Sequence, residues 1–170
     1  RPEVSDFGYH LTYQINKVVV VTPISLVSLA MLSLNQKTFS FDELIERIHT
    51  LKNYLDFKGV TYSDLIHYSD RWAYSEAVQI LQSRGFVKEV KSFEGNFFSL
   101  DTQNRTHLDY YKNNVLHFFV SLTCFCKVLS QSQNDQELTI DYAVKKYELL
   151  KKLFQNDFTF SSRASLEEHL

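Results

Sequence analysis

The stretch SFDELIERIHTLKNYLDFKG, residues 40–59, decides the fold class. Ser40 with Glu43 three residues on is a capping box, in which hydroxyl and carboxylate each satisfy the other residue's backbone N–H. Phe39 and Leu44 stand where a hydrophobic staple closes. Leu44, Ile48, Leu51 and Leu55 recur at the spacing of one helix face, and Gly59 supplies the stop. A helix is predicted here.

Working toward the N-terminus, Thr22 is an N-cap with Pro23 at the first helical position, and Ile24, Val27, Met31 and Leu34 continue the helix. The β-branched run Val18 to Val21 precedes it, and Asp6 to Asn16 reads as a further helix. Toward the C-terminus, Thr61 to Asp70 reads as irregular. Asp70 caps a helix over Arg71 to Arg84 whose inward residues are Ala73, Ala77, Ile80 and Leu81, with Gly85 as its stop. Phe86 to Val90 and Asn96 to Leu100 read as strands joined at Glu94-Gly95. A long helix follows Asp101 to about Leu129, apolar nearly all round and therefore expected to be central and buried. Gln131 to Gln136 is a polar loop. Thr139 caps a last amphipathic helix to Phe154, with Val144, Tyr147, Leu150 and Phe154 inward. The expected fold is mainly α: a helical domain with a small winged-helix-like two-stranded β-hairpin.

Hydrophobic residues are 44% and aromatics 15% of the 170 residues, enough for a sizeable core. Four glycines and two prolines are too few for a turn-rich all-β protein. The net charge of −2 gives no global pull toward nucleic acid or anionic lipid. Cys124 and Cys126 point about 200° apart on a helix, so both read as buried reduced thiols rather than a metal pair, in a reducing compartment. The apolar runs Val18 to Leu34 and Val115 to Leu129 fall short of the roughly 20 residues of a spanning helix. The chain starts at Arg1, without an initiator Met or a secretory pattern, and reads as a piece of a longer protein.

None of the histidines opens a His-x-x-x-x-Asp acyltransferase motif, in which a carboxylate orients the imidazole base: the fifth residue after His10, His49, His67, His107 and His117 is Ile15, Tyr54, Trp72, Lys112 and Leu122, and His169 lies too near the end. No Gly-rich phosphate loop, nucleophile elbow or Cys/His array occurs, and no cofactor or metal is expected. The most unusual segment runs from Tyr110 to Phe119, where Lys112, Asn113, Asn114 and His117 break an apolar helix. Helical spacing brings Asn113 and His117 within hydrogen-bonding reach. They could hold a catalytic domain or a phosphate, but fixing buried packing is the favoured reading, since buried polar atoms need partners. Lys145, Lys146, Lys151 and Lys152 are candidates for contact with a lipid headgroup surface, against the plainer reading of a solvated face. Arg71, Arg84, Lys88 and Lys91, opposed by Glu76 and Glu89, make too weak a basic face to favour nucleic acid. Trp72 reads as a core or helix-start anchor.

Tyr111-Lys112-Asn113-Asn114-Val115-Leu116-His117 resembles the Tyr-Tyr-Arg-Asn-Asn-x-x-His segment of the large bacterial PlsB-type glycerol-3-phosphate acyltransferases, in the region C-terminal to their catalytic domain. Tyr13 to Lys17 with Thr22, Pro23 and Leu26, then Phe41 to Tyr54, then Tyr147 to Phe154, are similar to further stretches of that family in the same order, so the likeness spans about residues 9 to 158. Lys112 and Lys17 stand where Arg is usual, which puts a bidentate phosphate role for Lys112 in doubt, and the family's longer C-terminal extension is missing.

The resemblance implies a parent enzyme that moves an acyl group from acyl-CoA or acyl-ACP to the sn-1 hydroxyl of glycerol 3-phosphate in phospholipid synthesis. It would work at the cytoplasmic face of the bacterial inner membrane, with its catalytic residues upstream. This chain is then a non-catalytic fragment, inactive alone, that braces the upstream catalytic domain or its membrane docking. Its partners are that domain and an anionic membrane surface. The alternative is an independent winged-helix module that binds protein or nucleic acid. The expected organisation is an N-terminal helical segment leading from the catalytic domain (1–36), a winged-helix-like subdomain (37–101), a long central helix with an amphipathic C-terminal helix (102–160) and a frayed tail (161–170).

Overall fold

The computed structural model describes the backbone of residues 2–68, 70–93, 95–132 and 139–160. Two compact units divide the chain: Val19–Leu116 forms one, and Arg1–Val18 with His117–Leu170 forms the other. The segments expected at 133–136 and 161–170 lie outside the described residues.

In the first unit the Val run ends in β1 (Val20–Val21), which pairs in parallel with β3 (Thr61–Tyr62). Thr22 caps α2 (Pro23–Ser33), its hydroxyl accepting the Ser25 amide at 3.4 Å, with Pro23 at the start. α2 is covered nearly all round, with Leu26, Val27, Ala30 and Met31 fully buried, and it packs on α3 (Phe41–Phe57) and α5 (Asp70–Ser83). The capping box of α3 forms as expected. The Ser40 amide donates to the Glu43 carboxylate at 2.7 Å and the Glu43 amide to the Ser40 hydroxyl at 3.2 Å, while Phe39 and Leu44 are buried beside it. Gly59 and Gly85 take the left-handed conformation, with φ of 65° and 73°, that ends α3 and α5.

Several expectations change in this unit. The segment expected to be irregular holds β3 and α4 (Asp64–Tyr68), whose first turn starts on an acidic residue that suits the positive end of the helix dipole. The inward face of α5 includes Tyr74 and Val78, and Ile80 is 43% exposed. Trp72 is also exposed, on the first turn of α5, so it is no core anchor.

The expected hairpin is present as β4 (Lys88–Ser92) and β5 (Gly95–Ser99), but the sheet has three strands rather than two. β2 (Thr38–Ser40) pairs antiparallel with β5 through Thr38↔Ser99, Phe39↔Phe98 and Ser40↔Phe97, giving the order β2-β5-β4. The chain order is α2, β2, α3, β3, α4, α5 and then the β4–β5 hairpin, with β2 beside the last strand, β5.

The second unit contains α1 (Pro2–Lys17), the later part of α6 (Arg105–Ser132) and α7 (Ile140–Phe154). Val120, Cys124 and Val128 of α6 form its core with Ala143 and Tyr147 of α7 and with Phe160. Along its length α6 is one-sided rather than buried all round: Leu108, Val115, Val120, Cys124 and Val128 are covered, but Tyr110 is 73% exposed. The helical period accordingly leaves Cys126 exposed opposite buried Cys124. Val144 and Phe154 of α7, expected inward, are 38% and 40% exposed. α2 packs within the first unit, on α3 and α5.

Candidate functional site

The Tyr111–His117 segment occupies the middle of α6, and its polar side chains meet different neighbours. The Arg84 guanidinium donates to the Tyr111 hydroxyl and also lies over its ring, while Lys112 pairs with Asp109 of its own helix at 2.6 Å. Asn113 and Asn114 are exposed. The buried lock expected of them is therefore not formed within the described residues.

His117 is half-buried, and its Nε2 lies 3.1 Å from the carbonyl oxygen of Asn16, not against Asn113. A carbonyl can only accept, so Nε2 carries the hydrogen. Burial lowers the imidazole's proton affinity, and the bond to Asn16 partly restores it. Asn16 also donates through Nδ2 to the Thr159 hydroxyl at 2.9 Å. Two turns back along α1, the Tyr9 hydroxyl donates to the Phe160 carbonyl at 2.8 Å and accepts the Phe160 amide at 2.6 Å. The bond from His117 to the Asn16 carbonyl thus links α6 to α1.

The four lysines of α7 also separate. Lys146 lies over the Tyr142 ring at 5.5 Å, and Lys151, half-buried, faces Glu148 at 3.6 Å. Lys145 and Lys152 are exposed and, with Lys151, Glu148, Leu149, Gln155, Tyr9 and Phe160, line a groove of about 500 Å³. Among the described residues, no three His, Cys, Asp or Glu side chains gather as metal ligands, and no helix is long and apolar enough to cross a membrane.

The family model for the glycerol-3-phosphate acyltransferase C-terminal region matches residues 1–170. The chain belongs to this family. It is 26% identical to the glycerol-3-phosphate acyltransferase of Actinobacillus pleuropneumoniae serotype 5b (strain L20), an alignment that covers 97% of the chain and 21% of that protein. It is 25% identical to the one of Pasteurella multocida (strain Pm70), over 98% of the chain and 21% of the relative. With the one of Pseudomonas syringae pv. tomato (strain ATCC BAA-871 / DC3000) it shares 29% identity over 86% of the chain and 18% of the relative. This acyltransferase C-terminal region thus spans about a fifth of the length of the curated relatives it matches.

Sequence reasoning singled out His117 but missed its partner, Asn16, 101 residues away, and the bond of Asn16 to Thr159, 143 residues away; a hydrogen bond between such distant groups leaves no periodic trace. On the winged-helix side, Arg71 is engaged by Asp42 at 2.7 Å and Arg84 by Tyr111, so two of the four expected cations already have partners.

Proposed function

We propose that this acyltransferase C-terminal region is a non-catalytic support for chemistry performed elsewhere in its polypeptide. The parent reaction would be transfer of an acyl group from acyl-CoA or acyl-ACP to the sn-1 hydroxyl of glycerol 3-phosphate, the first step of phospholipid synthesis, at the cytoplasmic face of the bacterial inner membrane. The observation that carries the proposal is a match over the whole chain that takes in only about a fifth of each relative. Two further facts support it: no His-x-x-x-x-Asp motif occurs, and the family-motif His117 is tied to the Asn16 carbonyl. The test is deletion of this region from the full-length protein. Loss of acyl transfer together with a lowered melting temperature is expected, and undiminished turnover would refute a bracing role.

A second reading, contact with an anionic membrane surface, is favoured by the outer face of α7. Lys145 and Lys152 share it with Leu149 and Leu153, which are 52% and 64% exposed. Cations flanking apolar side chains suit a headgroup layer. Co-sedimentation of the full-length protein with phosphatidylglycerol vesicles, weakened by Lys145→Gln with Lys152→Gln, would support it. Equal sedimentation of the two proteins would remove it.

A further inference from the structure

α1 is amphipathic in the inverse sense. Its anchored flank is polar: Tyr9 bonds Phe160 and Asn16 bonds Thr159. At 100° per residue, Phe7, Leu11, Ile15 and, just beyond the helix, Val18 fall on one arc of about 80° on the other flank. They are 68%, 49%, 53% and 74% exposed. A Cβ at Gly8, on the edge of that arc, would meet nothing within 4 Å. Four large apolar side chains in a continuous stripe, unlike scattered ones, mark a surface that something covers.

We infer that the stripe Phe7, Leu11, Ile15 and Val18 is the seat of the preceding part of the same polypeptide in the full-length acyltransferase. The inference rests on the supporting role proposed above and names the surface through which support is given. The match covers 21% of the Actinobacillus relative and is the family's C-terminal region, so most of such a protein lies ahead of α1 and is joined on its side. A second copy of the chain is a poorer occupant, because four side chains fall well short of the ~800 Å² per partner of a standard interface. Covalent linkage removes that requirement, since a tethered partner is present at millimolar effective concentration. A lipid surface fits less well than protein: from Asp6 to Val18 the only Lys or Arg is Lys17, whereas membrane-surface helices are rich in both.

Hydroxyl-radical footprinting of the full-length protein tests the inference, with the same protein in denaturant as the reference. At least fivefold protection of Phe7, Leu11 and Ile15 is expected, with lysine-directed cross-links from Lys17 to residues that precede this region. Protection below twofold would overturn the inference, and so would cross-links only to a second copy or protection that requires added lipid. The outcome is separable from the supporting role itself. A reactive stripe in an enzyme that loses activity on deletion of the region sinks the seat alone. A protected stripe in an enzyme indifferent to deletion sinks the support and leaves the seat.

Discussion

The Tyr9 hydroxyl both donates to the Phe160 carbonyl and accepts the Phe160 amide, joining residues 151 apart in sequence with one side-chain oxygen. Phe160 is 4% exposed, so its backbone groups have little access to water once that oxygen is removed. Tyr9→Phe keeps the ring and deletes both bonds. It is expected to lower stability by about 1–3 kcal/mol, the cost of leaving buried polar groups unsatisfied, as read by urea unfolding. An unchanged midpoint would show that the contact contributes nothing.

His117 makes stability depend on pH in a defined direction. Burial holds its folded-state pKa below the ordinary value of 6.5, so the unfolded chain binds the proton more readily. The contribution is complete above pH 6.5 and is lost as pH falls from there through the folded-state value. His117→Gln is expected to flatten that part of the curve of melting temperature against pH. A curve that keeps its slope in the variant would assign the dependence to another group.

At Ser40 the capping box gives a second, more acidic window. Hydrogen bonds from the Ser40 amide and hydroxyl hold the Glu43 carboxyl below its ordinary 4.5, so this contribution is present above that pH and disappears as pH drops through the lowered value. Ser40→Ala is expected to cost about 1 kcal/mol at neutral pH, the usual loss for an N-cap hydroxyl, and less once Glu43 is protonated. Thermal melts at neutral and at strongly acidic pH measure the difference, and an equal loss at both would contradict the reciprocal arrangement.

Asn113 is exposed, so Asn113→Leu is expected to change the stability of this region by no more than about 0.5 kcal/mol. A loss above about 1 kcal/mol in a denaturant titration would mean that its amide is held after all.

The helices were legible in the residues because caps and periodicity are local. Thr22-Pro23, the Ser40 box and Gly59 mark boundaries through chemistry confined to a few neighbours, and those boundaries stand. β2 was not legible: it is three residues long and ends on Ser40, where the capping signal hides the strand that runs into it. The Asn113 and His117 pairing was inferred from helical spacing alone, which identifies neighbours on one helix but not the more distant carbonyl that claims the imidazole. The outward turn of Ile80, Val144 and Phe154 has the same origin, because apolar periodicity shows a stripe but not which of its edges a neighbouring element covers.

The most direct test of a support without chemistry of its own is an assay of the purified 170-residue chain with glycerol 3-phosphate and an acyl thioester. No esterification above the protein-free rate is expected. Turnover that rises with chain concentration and disappears on His117→Ala would contradict the account and place an acyl-transfer centre within these helices.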